Sequence, residues 1–253
     1  MRRVSSKLPE WAKEPLRPLR RFAEGLVYAG EGRVCPVCGR SSRRFKPSPI
    51  DRREDAQCVY CGALERHRLV WLFIQKKTNL FDGKPKTMLH VAPESCFEPR
   101  FRKHLGDNYL TADLFNRRAM VRMDVADIQY ADQSFDIIAC SHVLEHVQDD
   151  RRAMREFFRV LKNDGWAILL VPITSEHTIE DPSIVDPKER LRVFGQEDHV
   201  RRYGPDVVDR LREAGFTVEI IGINDLVNDK EAIEMGLTAD TGMIYYCTKQ
   251  SCG

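Results

Sequence analysis

Four cysteines stand in two matched Cys-x-x-Cys-Gly turns, Cys35-Pro-Val-Cys38-Gly39 and Cys58-Val-Tyr-Cys61-Gly62, with 19 residues between Cys38 and Cys58. Two such pairs can present four thiolates to one tetrahedral zinc ion, and the glycine after each pair permits the tight turn that aims backbone amides at sulfur. Four protein ligands leave no open position for water, so the role expected of Cys35, Cys38, Cys58 and Cys61 is structural. Two disulfides would use the same residues, but the repeated turn and a reducing compartment favour metal. Cys96, Cys140, Cys247 and Cys252 lack this pairing.

A second group is His142-Val-Leu-Glu145-His146. H-x-x-E-H is an arrangement used by some zinc proteases, with two imidazoles one turn apart. Here the stretch follows an apolar run and leads into a loop ending at Asp149-Asp150, and no third ligand is evident in the sequence. His146 reads at least as well as a hydrogen-bonded residue that shapes a turn. Downstream, Glu197-Asp198-His199 offers an imidazole beside carboxylates. His199 can take a proton near neutral pH, with Asp198 or Glu197 orienting it. His142 and His177 are weaker candidates for that work, and a lid-closing network of Asp198, His199 and Arg201 without chemistry is the alternative.

The elements that must position these groups follow from hydrophobic periodicity. Residues 135–140 are a continuous apolar run, 149–161 carry a helical repeat, and 166–171 are apolar again, which predicts a buried βαβ unit. Side chains at the carboxyl ends of parallel strands face the ligand crevice, so Ser141, His142, Glu145 and His146 fall where an α/β enzyme works. Further strands are predicted over 87–91, 109–112, 121–124, 216–221 and 243–248, with helices over 97–105 and 205–214. Repeated β and α elements make a doubly wound, mostly parallel α/β sheet. In front of it the chain divides into an irregular basic arm over 1–33, a zinc ribbon over 34–62 and a connecting helix over 63–84. The sheet domain takes 85–253. Glu65, Arg66, His67 and Arg68 at the start of the connecting helix read as surface or interdomain groups. The polar stretch 174–203 is long for a connection and is expected to act as a substrate loop.

Composition narrows the class. The 253 residues are 42% hydrophobic and 31% charged with a net charge of +2, an ordinary globular balance. No apolar run approaches the roughly 20 residues that span a bilayer, and the first ten residues lack a signal peptide's apolar core, so no membrane and a cytoplasmic location are expected. Charge is uneven, with 18 Lys and Arg against 8 Asp and Glu in residues 1–80. Such asymmetry suits an anionic partner as well as a solvated face. The basic stretch Arg40-Ser-Ser-Arg43-Arg44-Phe45-Lys46 lies between the two cysteine pairs, where zinc ribbons often present loops to nucleic acid.

An acid at the end of the second strand can hydrogen-bond a ribose, and Asp113 is so placed, which by itself suits NAD or adenosylmethionine. The first strand, however, runs into Leu89-His90-Val91-Ala92-Pro93-Glu94-Ser95 with no glycine, which argues against a pyrophosphate-bearing dinucleotide. With Arg122-Met-Asp124-Val125-Ala-Asp127, Ser134-Phe-Asp136 and the Leu144-Glu145-His146-Val147 turn, residues 86–248 resemble class I S-adenosylmethionine-dependent methyltransferases with a Leu-Glu-His-Val turn after strand four. The resemblance implies a Rossmann-like seven-stranded sheet whose last strand is antiparallel. It implies that Asp113 holds the ribose, that Asp124 faces the adenine amino group, that the Val125 backbone meets an adenine nitrogen, and that Ser141 and His142 line the floor near the methyl group. His90 stands where the family carries an acid. Glu94 is then a candidate for the cofactor's ammonium, while His90 reads equally as a buried structural group. The expectation is a zinc-ribbon methyltransferase acting on oxygen or nitrogen of a small-molecule or glycan-type acceptor. The alternatives are an RNA methyltransferase that uses its basic ribbon to hold RNA, and a non-catalytic adaptor.

Overall fold

A computed structural model of the protein describes residues 24–48 and 52–249. The expected arm lies outside the described residues up to residue 23, as does Cys252. In chain order the elements begin with β1 (Arg33–Cys35), β2 (Arg40–Ser42), α1 (Glu65–Lys77), β3 (Met88–Val91), α2 (Glu98–Leu105), β4 (Tyr109–Asp113) and β5 (Val121–Arg122). They continue with β6 (Phe135–Ser141), α3 (Asp150–Val160), β7 (Leu161–Leu170), β8 (Ile179–Glu180), α4 (Pro187–Phe194) and β9 (Arg201–Arg202). The last are α5 (Val207–Glu213), β10 (Phe216–Ile221), α6 (Asp229–Glu234) and β11 (Ile244–Lys249).

Packing divides the described residues into two units, one holding those up to Leu72 together with Val227–Thr241, the other Phe73–Leu226 and those from Gly242 to Lys249. The first unit is thus larger than a 34–62 ribbon, and the segment 227–241 packs with it instead of with the sheet. Arg68 supplies the physical reason. Its side chain is fully buried. It donates to the carbonyls of Ala56 at 2.8 Å, Ala63 at 3.0 Å and Gly236 at 2.9 Å, and its guanidinium sits 4.3 Å from the centroid of the Phe45 ring. One cation thereby bonds carbonyls from three stretches of buried backbone, adding to the bond that Ala63 O already accepts from the Cys58 amide at 2.8 Å. Glu65, His67 and Arg68, which read as surface or interdomain groups, are all buried. The sequence reading missed this because an arginine on a short helix is usually solvated.

The second unit is a seven-stranded sheet in the order β10-β11-β7-β6-β3-β4-β5. β3, β4, β5, β6 and β7 pair in parallel, and β11 is antiparallel to both neighbours. This is the α/β fold expected, with the last strand reversed. Near-continuous apolar strands explain the parallel core: Met88, Leu89 and Val91 of β3 and Ile137, Ile138 and Cys140 of β6 are buried, as helices on both faces require. Helix α3 is capped by Asp149, whose side chain accepts from the Arg152 amide at 2.8 Å. It turns Ala153, Met154, Phe157 and Val160 into the core at helical spacing. Truncating Phe157 to alanine would remove about 3–5 kcal/mol of burial and packing.

The stretch 174–203 has more structure than a loop. β8 and β9 form an antiparallel ribbon, Ile179↔Arg202 and Glu180↔Arg201, that brackets helix α4. Among the described residues no helix is long and apolar enough to cross a membrane.

Candidate functional site

The cysteine cluster is built from two similar turns. Gly39 and Gly62 have φ of +70° and +79°, and their amides donate to Cys35 O at 2.8 Å and Cys58 O at 2.9 Å. That left-handed backbone favours glycine, which is why each pair is followed by one. Ligand atoms of all four cysteines lie within 4.8 Å of one another. Sγ atoms stand 3.7 Å apart for Cys35 and Cys61, and 3.8 Å for Cys38 and Cys58. A tetrahedral zinc ion with Zn–S bonds of about 2.3 Å needs sulfur–sulfur edges of about 3.8 Å, so the residues fit the ion. Sharing of protons separates the thiols: hydrogen bonding with Cys35 pushes Cys38 and Cys58 down and Cys61 up, and hydrogen bonding with Cys38 pushes Cys35 up.

In the second unit the strand order reverses between β3 and β6, and in such sheets ligands bind outside the carboxyl ends of the strands at that point. Each of these strands ends in a non-glycine residue with left-handed backbone, Ala92 (φ 48°) and His142 (φ 55°). Each is held there by an amide that continues the ladder: Ala92 N donates to Ala112 O at 2.8 Å and His142 N to Leu170 O at 2.9 Å. Such backbone costs about 1–3 kcal/mol and clusters where a ligand must be approached. Ala92 adopts the positive φ that a glycine would supply, which accounts for a first turn without one.

His90 is 1% exposed, and its ring nitrogens lie 2.7 Å from the Tyr109 hydroxyl and 2.5 Å from Glu94 Oε2. Its ring is therefore committed within the protein, and what it positions is Glu94. Asp113 ends β4 with Oδ1 accepting from the amides of Phe115 and Asn116, both at 2.8 Å. It borders an open cavity of about 400 Å³ whose walls include Phe115, Asn116, Arg117 and Arg122. Asp124 is exposed, its Oδ1 accepting from the Ala126 amide at 2.9 Å, and Val125 beside it is buried. Asp113 pairs in register with Arg122, so β4 and β5 bring the Asp113 and Asp124 loops to the same edge. Ser141 is half-buried at the end of β6.

Beyond Ser141 the structure assembles what the sequence left apart. Leu144–His146 is a single 3-10 turn, not a long helix. His142 Nδ1 lies 3.4 Å from Glu145 Oε1, and His146 Nδ1 lies 3.3 Å from Asp198 Oδ2. Asp198 therefore faces His146 and does not orient His199. The His199 ring packs edge-on against that of His146, with centroids 4.6 Å apart, and its Nδ1 lies 3.2 Å from the Phe194 carbonyl. Burial, followed by the neighbouring His146, pushes the His199 imidazole below its ordinary proton affinity. Sequence reading found no third group for the His142–His146 motif; tertiary structure supplies His199, with Val200 N donating to Glu145 O at 2.9 Å to lock the two segments together.

That lock is reinforced by a buried charge network that sequence reasoning also missed. Arg201 donates to the carbonyls of Leu144 at 2.7 Å, Gln148 at 2.9 Å and Val147. Asp150 accepts from Tyr203 Oη at 2.6 Å and from Arg210 at 3.0 Å, and Glu180 binds Arg201 at 3.1 Å and Arg210 at 2.8 Å. Arg210, then Arg201, hold the Glu180 carboxyl down to about 2. Arg201 is thus a clamp on the 144–148 turn and is not free to hold an acceptor's carboxylate or phosphate.

A family model described as a methyltransferase domain matches residues 97–169, from the residue before α2 to the end of β7. The match takes in 73 of the chain's 253 residues. A stretch of 74 residues is 36% identical to an uncharacterized methyltransferase, YcgJ, of Bacillus subtilis (strain 168), and 73 residues are 32% identical to the ajmaline N-methyltransferase of Rauvolfia serpentina. These stretches cover 29% and 28% of this chain, and only 28% and 25% of the two relatives' lengths. Among solved structures, the Burkholderia thailandensis 1,6-didemethyltoxoflavin-N1-methyltransferase with bound 1,6-didemethyltoxoflavin and S-adenosylhomocysteine aligns with a TM-score of 0.46 at 14% identity. That alignment covers 68% of this chain and 75% of the other. The methyltransferase-domain match takes in β4, β5, β6 and the 142–146 turn but begins after the glycine-free turn at Ala92.

Proposed function

We propose that the protein is an S-adenosylmethionine-dependent methyltransferase acting on an oxygen or nitrogen of a small-molecule or glycan-type acceptor, with a structural zinc ion on Cys35, Cys38, Cys58 and Cys61. The observation that carries the reading is the pair of left-handed strand ends, Ala92 and His142, at the strand-order reversal, with Asp113, Asp124 and His142 inside the stretch 97–169 that matches a methyltransferase domain and Ala92 just before it. Adenosylmethionine, when bound, supplies an electrophilic methyl group on a sulfonium. Asp113 would hold the ribose hydroxyls and Asp124 the adenine amino group, beside the Val125 backbone. Glu94, braced by His90, would receive the ammonium. Ser141 and His142 would floor the methyl site. The cluster of His142, Asp198 and His199 would take the acceptor's proton when its oxygen or nitrogen is methylated. The main task of the protein is alignment, with proton removal second.

Calorimetry with adenosylmethionine tests the reading. Losing a charged hydrogen bond of about 1.5–3 kcal/mol, Asp113→Ala should weaken binding roughly 10–100-fold. No binding by folded wild-type protein would instead favour the adaptor. With binding established, His199→Ala should keep cofactor affinity and lose turnover at least tenfold; unchanged turnover removes His199 from the chemistry. A second reading, an RNA acceptor, draws on Arg40, Arg43 and Arg44, which are exposed. Phe45, by contrast, is 1% exposed beneath Arg68 and offers no stacking face. Salt-dependent RNA binding lost on replacing the three arginines would support it.

A further inference from the structure

We propose that Glu145, His146 and His199 form a second cation site, distinct from the cysteine cluster, for a divalent first-row metal of the manganese-to-zinc type. One ligand atom from each of the three lies within 4.8 Å of the others. Bonds of about 2.1 Å to one ion would bring three such ligands to about 3.0–3.6 Å from one another, so side-chain shifts of up to about 1 Å each close the site.

Two observations point to a ligand. Glu145 is 1% exposed and His199 6% exposed, yet Glu145 Oε2 and His199 Nε2 have no hydrogen-bond partner among the described residues. A buried carboxylate oxygen and a buried imidazole nitrogen without partners, on residues whose ligand atoms lie within 4.8 Å of each other, are costly unless something lies between them. The surrounding contacts are those of a metal's supporting shell. His199 Nδ1 can donate to the Phe194 carbonyl, which leaves the lone pair on Nε2, and Asp198 engages His146. His142 lies against the other oxygen of Glu145. Val200 N on Glu145 O and Arg201 on Leu144 O fix the two chain segments that carry the ligands.

The ligand set defines the cation. Two imidazoles and one carboxylate suit manganese, iron, cobalt, nickel or zinc; magnesium and calcium prefer all-oxygen shells, and soft ions prefer thiolates. Three protein ligands leave positions for water or an acceptor hydroxyl, whose proton the cation makes easier to remove. That use rests on the methyl-transfer reading and makes His199 a ligand of the cation in place of a free base; the metal site itself does not depend on it.

Manganese tests the site, because it does not compete for thiolates. Full-length protein with its cysteine cluster loaded with zinc, freed of other metal, is titrated with Mn²⁺ and followed by electron paramagnetic resonance. The expected result is one bound Mn²⁺ per chain, weakened at least tenfold in Glu145→Gln and His199→Asn with zinc content unchanged. Should either buried-site variant fail to fold, His146→Gln carries the test, since that side chain is 32% exposed. Absence of stoichiometric Mn²⁺ binding by the wild type, or equal binding by folded variants, overturns the proposal. Adenosylmethionine calorimetry on the same samples is read separately: Mn²⁺ binding without cofactor binding sinks the methyl-transfer reading and leaves the metal site standing.

Discussion

The cysteine cluster and the Glu145–His146–His199 cluster both gather groups suited to a cation, but they are made in opposite ways. In the first, four identical ligands sit in two local turns, each completed by its own glycine, so spacing along the chain already specifies the arrangement. In the second, ligands of different chemistry come from a one-turn helix and from a segment more than fifty residues later, held by Arg201 and Asp150. The first is closed and suits structure; the second leaves positions open and suits chemistry. A locally encoded site needs little else to form, whereas an assembled one is only as good as the clamps that hold it.

The sharpest test of the difference is at the cysteines. Zinc on four thiolates contributes apparent binding of about 10–16 kcal/mol in small zinc modules, so Cys58→Ser should abolish stoichiometric zinc and unfold the 33–62 region. Metal analysis and limited proteolysis would read both effects. Retention of about one zinc per chain would break the comparison by showing that the cluster is not what binds it.

A smaller loss is expected at the clamp. Asp150 and Arg210 are buried partners, and removing one member of such a pair typically costs about 3–5 kcal/mol. Asp150→Ala should therefore lower thermal stability strongly and, in the protein that remains folded, weaken Mn²⁺ binding while zinc stays bound. Unchanged Mn²⁺ affinity would show that the second cluster does not depend on the clamp.

The smallest effect is a pH dependence. The Glu180 carboxyl is held down to about 2 from an ordinary 4.5, so its contribution to stability is complete above about 4.5 and lost as pH falls toward 2. Glu180→Gln should flatten the thermal stability profile across that window, with little change near neutrality. An identical acid limb in wild type and variant would detach Glu180 from the network.

Most of the fold was legible because its code is local. The apolar runs at 87–91, 135–140 and 166–171 and the helical repeat at 149–161 announced elements that the structure places at Met88–Val91, Phe135–Ser141, Leu161–Leu170 and Asp150–Val160. Glu65, His67 and Arg68 were not legible, because their burial depends on carbonyls at Ala56, Ala63 and Gly236. The pairing of Asp198 with His146, instead of His199, was equally hidden, since neighbours in sequence need not face each other.

By itself, then, the sequence determined the four-cysteine cluster, the succession of the main strands and helices of the sheet, and the acids at the ends of the second and third strands. Spacing and periodicity act over a few residues, where covalent geometry limits the options. Only the tertiary structure decided that Ala92 adopts a glycine's backbone, that His90 braces Glu94, and that His199 meets Glu145 and His146. Those outcomes depend on hydrogen bonds and packing between distant segments, which no spacing along the chain records.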